Sequence, residues 1–290
     1  GAAWATVAGN YLGLAILLFI GYGRKDSSIS LNILTPPRYE ELKAFGKAMG
    51  PLFFLSTSKN ICYLMIQSVS TTFSTLTCAA HQAMWSAWAI FSFCPTPLEQ
   101  CAQVFLPRHV AADYTMSKDE RADWNEKRDP SMVFKRSREF VKSLFSVGLG
   151  LGLLLGTIAA STQFYPFLFT KDQALWPIMQ TFWPYMMFSL TCAGVCIAFD
   201  GVLLALGDVN FLWKCQVVNV IALWAFLYLF VMQSGIGIIG VWQGVILFFG
   251  LRTLQNALRI AGPNGILPLS KSWPQWAPKD FKSVGDPDRK

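Results

Sequence analysis

Charge is what this sequence has least of. Only 14% of its 290 residues are Asp, Glu, Lys or Arg, against about 25% in an ordinary soluble domain. The shortage is uneven. Residues 1–23, 60–98, 143–170, 173–199 and 215–251 carry no charged side chain at all. About 20 apolar residues cross a bilayer, and each of these stretches is that long. The pattern excludes a soluble globular enzyme, a disordered chain and a disulfide-rich secreted module. Histidine is also scarce, with two in the chain. The seven cysteines (Cys62, Cys78, Cys94, Cys101, Cys192, Cys196 and Cys215) are odd in number and sit in or at the ends of apolar runs. They read as small core residues. Cys192 and Cys196 share a helix face at i, i+4, but both histidines are distant in sequence, so no zinc site is expected. His-Glu-x-x-His, Gly-x-Ser-x-Gly and the Walker glycine loop are all missing, so neither an enzyme nor an ATP-driven pump is expected. Transport, if this chain performs it, runs on an ion gradient, with no cofactor beyond a coupling proton or sodium ion.

What is present is apolar: 53% of residues are hydrophobic, gathered into runs of spanning length. The fold class is an all-α polytopic membrane protein with about seven transmembrane helices, in contact with membrane lipid. The first span is 1–22. A polar linker, 23–41, follows, with Thr35-Pro36-Pro37 ahead of a helix start at about Arg38–Leu42. The remaining spans fall within 42–260, at about 42–73, 76–107, 137–160, 173–207, 209–232 and 236–260. Pro95 and Pro97 should break or kink the third. Residues 109–138, with Lys118-Asp119-Glu120-Arg121, form a polar loop. Residues 261–290 form a Pro- and Lys-rich tail carrying Trp273 and Trp276, read as disordered or lying at the membrane surface. Gly148, Gly150, Gly152 and Gly156 permit close helix packing in the fourth span. The sixth and seventh should separate at Gln233-Ser234-Gly235.

The net charge of +7 does not point to nucleic acid, because the basic residues flank the apolar runs. With the linker, the 109–138 loop, the 207–214 turn and the tail on one side, every Lys and Arg except Lys59 and Lys171 falls on that side or at its helix ends. The positive-inside rule makes it cytoplasmic, or stromal or matrix in an organelle. The sequence opens at Gly1 inside an apolar segment with no signal or transit peptide visible, so it reads as part of a longer protein.

Ionisable residues inside spans are functional candidates. Asp200, in Ala198-Phe199-Asp200-Gly201-Val202, is the strongest. An isolated carboxylate among apolar helices can exchange a proton or ligate sodium. The alternatives are an ion pair with Lys59 or a permanently protonated, hydrogen-bonded group. Lys59 belongs to a stripe, Ser56, Lys59, Tyr63, Gln67 and Ser70, whose steps of 3, 4, 4 and 3 put all five on one helical face. Such a face lines a water-filled cavity or meets a polar partner. Lys59 itself either binds an anion, pairs with Asp200 or Glu99, or reaches the interface along its stem. His81 and Gln82 lie near the outer end of the third span, and His81, Trp85 and Trp88 share a face. His81 is read first as a helix-packing hydrogen-bonder, and second as a proton carrier. Glu99 and Gln103 share a face at i, i+4, as cavity or interfacial groups. Asp208 should cap a helix start.

These residues also resemble a known family. Gly1-Ala2-Ala3-Trp4-Ala5-Thr6, Ala79-Ala80-His81-Gln82, Pro97-Leu98-Glu99-Gln100 through Gln103-Val104-Phe105-Leu106-Pro107, and Phe199-Asp200-Gly201-Val202 with Gly207-Asp208 are similar, in order and spacing, to motifs of MATE (multidrug and toxic compound extrusion) transporters. Thr57-Ser58-Lys59 and Phe169-Thr170-Lys171-Asp172 are similar to the plant plastid branch that includes the salicylate exporter. The resemblance implies the last helix of an N-terminal lobe, 1–22, then a six-helix C-terminal lobe, 42–260. It implies an antiporter exporting a small-molecule substrate, driven by a proton or sodium gradient, with Asp200 as the cation-coupling residue. The cavity would be formed by Lys59, Tyr63, Gln67, His81, Gln82, Glu99 and Gln103. The second half would come from an N-terminal lobe in the same full-length chain, or from a homodimer. Lys59 stands where many members carry a second acidic residue, which favours proton coupling or an anionic substrate. The alternatives are a lipid-linked oligosaccharide flippase of the same superfamily and a transport-inactive half-transporter scaffold. The membrane would be the plastid envelope, the plasma membrane or the vacuole.

Overall fold

A backbone in hydrocarbon must satisfy its own N–H and C=O groups, and this chain does so with helices. The computed structural model describes residues 2–23, 38–110 and 130–262. The linker proline pair, most of the expected 109–138 loop and the tail with its two tryptophans lie outside the described residues. The chain divides into two compact units, residues 1–48 and 49–290. The first holds α1 (Ala2–Gly23) and the opening of α2 (Tyr39–Ser70). Helix α2 starts with Glu40 and Glu41, favourable at a helix N-terminus. Glu41 also reaches back to accept from the Arg38 backbone N–H at 3.0 Å.

The second unit contains the rest of α2 and the elements that follow. Helix α3 (Thr75–Phe93) begins at Ser74, whose hydroxyl accepts from the Thr77 N–H. The expected break in the third span falls at Cys94-Pro95, and α4 (Thr96–Val110) resumes beyond it. Helix α5 (Pro130–Ser161) starts earlier than the sequence pattern suggested. The fifth span is not one helix from residue 173. A 3₁₀ turn (Gln173–Leu175) and α6 (Trp176–Gln180) come first, and α7 (Trp183–Ala205) then starts afresh with Pro184 in its first turn. Pro lacks an N–H, so a helix start costs it nothing. Helix α8 (Val209–Phe226) passes into a π-helical segment, Leu227–Gln233. The turn at Ser234 and the positive-φ residues Gly235 and Gly237 separates it from α9 (Ile238–Ala261).

Among the described residues, four segments are long and apolar enough to cross a membrane by length and composition: Lys135–Phe164, Trp183–Ala205, Val209–Gln233 and Ile238–Ala261. The other three expected spans lie on α1, on α2 and on the α3–α4 pair. The latter two are less uniformly apolar for a physical reason: α2 carries a polar stripe, and α3–α4 is interrupted. The chain is an all-α, multi-pass membrane protein.

Helix α7 is the hub, packed between α5, α4 and α9. Against α5 the contact is backbone to backbone. A Cβ added at Gly194 would lie 2.5 Å from the Gly148 carbonyl oxygen, and one at Gly152 would lie 2.8 Å from the Thr191 carbonyl oxygen. Two apolar clusters result. One gathers Trp88, Phe182, Trp242, Phe248 and Phe249, the other Leu106, Leu144, Phe199 and Leu203. Asp200 follows directly on Phe199, beside the second cluster.

Candidate functional site

Asp200 is not isolated, which corrects the first reading of the sequence. Its Oδ2 accepts from Lys59 Nζ of α2 at 2.8 Å and from Arg252 Nη2 of α9. Its Oδ1 accepts from Asn256 Nδ2, also of α9, at 2.7 Å. One carboxylate therefore meets two cations and an amide, and ties α2, α7 and α9 together. The partners differ in access: the Arg252 side chain is 6% exposed and Asp200 3%, but Lys59 is 24% exposed. Arg252 is further enclosed by the rings of Phe248 at 5.0 Å and Phe249 at 5.5 Å. Taking ions out of water costs several kcal/mol each, so such a cluster holds only if its partners are well placed.

Arg252 and Asn256 were missed by sequence reasoning. Arg252 closes the uncharged stretch 215–251 and so read as a cytoplasmic helix-end cation. The expected span already ran to 260, and α9 ends at Ala261, about two and a half turns beyond Arg252, so Arg252 stands inside the bundle. The available signal was the i, i+4 spacing of Arg252 and Asn256, directly after the apolar pair Phe248-Phe249. The adjoining face of α9 is polar as well. Gln255 exchanges two hydrogen bonds with Asn219 of α8, at 2.9 and 3.0 Å. Arg259 donates to Asp208 at 2.6 Å. Asp208 stands at the N-cap position of α8, yet its side chain makes no cap hydrogen bond. Its carboxylate is spent on Arg259 instead, which corrects the expected capping role.

The α2 stripe meets protein partners in sequence order. Lys59 reaches Asp200. The Tyr63 ring packs edge-on against Trp85, Trp88 and Phe248, with centroids 5.8–6.5 Å away. Gln67 accepts from Gln82 Nε2 at 2.6 Å, and Ser70 donates to the Gln67 carbonyl. His81 is fully buried, stacked on Trp85 and edge-on to Trp242. Neither ring nitrogen has a hydrogen-bond partner among the described residues, so the helix-packing hydrogen bond expected of His81 is absent and its contacts are aromatic. Trp88 does bond, through Nε1 to Ser189 at 2.8 Å. Glu99 is half-buried, with Gln103 Nε2 donating to it at 3.4 Å. Its backbone presses on Gly201, beside Asp200. The structure thus joins Lys59 to Asp200, sets the Glu99 backbone against Gly201 beside Asp200, pairs Gln67 with Gln82, and places His81 against Trp85 and Trp242.

Among the cysteines, Cys62 and Cys196 are buried as expected, whereas Cys94 and Cys101 are exposed at the α3–α4 break and on α4; all seven are free thiols. No group of three or more potential metal ligands occurs among the described residues.

Three curated relatives from Arabidopsis thaliana match nearly the whole chain. Protein DETOXIFICATION 47, chloroplastic, is 26% identical over 92% of the chain and 46% of the relative. DETOXIFICATION 42 is 25% identical over 91% of the chain and 47% of the relative. DETOXIFICATION 44, chloroplastic, is 24% identical over 91% and 46%. No family model matches the chain. No solved structure matches it. The chain spans about half the length of the curated relatives it matches, and its similarity to these DETOXIFICATION proteins bears out the resemblance to the C-terminal lobe of MATE transporters.

Proposed function

We propose that the chain is one lobe of an ion-gradient-driven antiporter that exports a small organic compound. The observation that carries this is the buried Asp200 cluster, in which one carboxylate joins three helices through two cations and an amide. A change in its charge balance alters which helices are held together, and that is what coupling an ion gradient to alternating access requires. Asp200 is the coupling carboxylate in this reading. Lys59, the exposed partner, is the member a substrate anion can reach. Tyr63, Gln67, His81, Gln82, Glu99 and Gln103 complete the polar and aromatic lining once the second lobe, or a second copy, faces this one. Two of the three relatives are named chloroplastic, which supports the plastid envelope as its membrane.

The test is gradient-driven efflux from vesicles bearing the protein expressed from its complete gene, with a panel of small organic anions and cations as probes. Asp200→Asn should abolish gradient-driven efflux while membrane insertion is retained. Efflux equal to wild type would refute the coupling role. Arg252 as a second buried cation favours one alternative, a lipid-linked oligosaccharide flippase, whose anionic headgroup needs clustered cations. Scrambling of a fluorescent phospholipid without any imposed gradient would establish that alternative in place of the antiporter.

A further inference from the structure

The charge count around Asp200 closes only when Glu99 is included. Lys59 and Arg252 supply two positive charges; Asp200 and Glu99 supply two negative ones. In the structure Asp200 takes both cations and Asn256 besides, leaving Glu99 with the Gln103 amide at 3.4 Å. Helix α4 passes close to the backbone beside Asp200. A Cβ built on Gly201 would lie 2.6 Å from the Glu99 Cα and 2.8 Å from its carbonyl oxygen, so α4 and α7 touch backbone to backbone beside Asp200. Charges from three other helices act on Glu99: Lys59 of α2, Asp200 of α7 and Arg252 of α9. The charged residues of α5 (Lys135, Arg136, Arg138, Glu139 and Lys142) flank Phe140 in sequence, whose ring meets that of Phe105 of α4 at 6.5 Å. Phe105 is roughly 9 Å along α4 from Glu99.

We infer that Glu99 is the seat of the coupling proton and that Lys59 alternates between Asp200 and Glu99 according to whether that proton is present. This rests on the antiporter reading and divides the coupling between two carboxylates, with Asp200 as the permanently charged partner of the cations and Glu99 as the group that takes the proton. A half-buried carboxylate left without a counter-charge is unfavourable. A proton on Glu99 removes that cost and leaves Lys59 on Asp200, the arrangement observed. Loss of the proton to water makes Glu99 an anion, and Lys59, on a flexible four-carbon stem and the most accessible member of the cluster, is drawn to it. Asp200 then keeps Arg252 and Asn256, so α7 and α9 stay joined while the hold on α2 shifts from α7 to α4. Glu99 offers few oxygens for sodium, which takes several ligands, and the geometry points to a proton.

Infrared difference spectroscopy on a pH step tests this without any transport, so it fails or succeeds separately from the export reading. The probe is the protonated-carboxyl band of the full-length protein in lipid, in potassium buffer. Glu99→Gln should remove a band that wild type shows, and Glu99→Asp should restore it at a shifted frequency. Replacing potassium with sodium should leave the wild-type band in place. A band intact in Glu99→Gln, unshifted in Glu99→Asp, or suppressed by sodium overturns the assignment. Should Glu99→Gln fail to insert, Glu99→Asp carries the test alone, because its band must move.

Discussion

A methyl group placed at Gly194 should destabilise the bundle more than any other single-carbon addition along the α5–α7 contact. A Cβ there would lie 2.5 Å from the Gly148 carbonyl oxygen, 3.0 Å from the Gly152 Cα and 3.1 Å from the Gly152 nitrogen. All three are backbone atoms, so no side chain can rotate away. The helices must part by a few tenths of an ångström or more, along an interface held largely by close van der Waals contact. Overpacking of this kind costs about 1–3 kcal/mol, and the rigid neighbours place Gly194→Ala at the upper end, about 2–3 kcal/mol. Gly150, on the same helix as Gly148 and Gly152, is the control. Nothing lies within 4 Å of its added Cβ, and Gly→Ala in an open helix position gains up to about 1 kcal/mol in helix propensity. Thermal unfolding in one detergent, followed by circular dichroism, measures both. With about 2–4 °C per kcal/mol for domains of this size, Gly194→Ala should lose roughly 4–12 °C, and Gly150→Ala should match or exceed wild type. Equal midpoints for the two variants would refute the close-approach argument.

Other perturbations follow from the polar contacts. Arg252→Ala should destabilise by about 3 kcal/mol, because Asp200 stays buried with one cation fewer, while Lys59→Ala costs less since its side chain keeps contact with solvent; chemical denaturation of the two variants ranks them, and a larger loss for Lys59→Ala contradicts the ordering. Replacing Asn219 alone by Leu strands Gln255 and should cost about 1–3 kcal/mol, whereas the Asn219→Leu, Gln255→Leu double variant should cost less than the two singles summed. Trp88→Phe loses the Ser189 bond and should cost about 1 kcal/mol, with the midpoint of denaturation as the readout. Gly237→Ala, at φ 78°, should cost about 1–2 kcal/mol, and an unchanged midpoint would show that the turn relaxes.

Much of the helix layout was legible in the sequence because its signals are local. Pro95 ended α3 where an amide hydrogen was lacking, and Ser234-Gly235 separated α8 from α9. The steps of the α2 stripe put Lys59, Tyr63, Gln67 and Ser70 on one face. The role of Asp208 was misread because a cap position is recognised from its neighbours, whereas its carboxylate found Arg259 some fifty residues on. Arg252 was misplaced for a similar reason. A cation at the edge of an apolar run looks like a helix-end charge until its carboxylate partner and the rings around it are known.

The sequence by itself determined that this chain lives in a membrane, that it is helical, and that Asp200 and Lys59 needed explaining. Those conclusions depend on composition and periodicity, which act residue by residue. Only the tertiary structure decided that Asp200 has three partners, that two of them come from α9, and that the Glu99 backbone packs beside it with no ion pair for Glu99 among the described residues. An ion pair belongs to neither residue alone. It exists because the tertiary packing of α2, α7 and α9 brings charges far apart in sequence to one site, beside the close approaches that Gly194 and Gly201 allow α7 to make with α5 and α4.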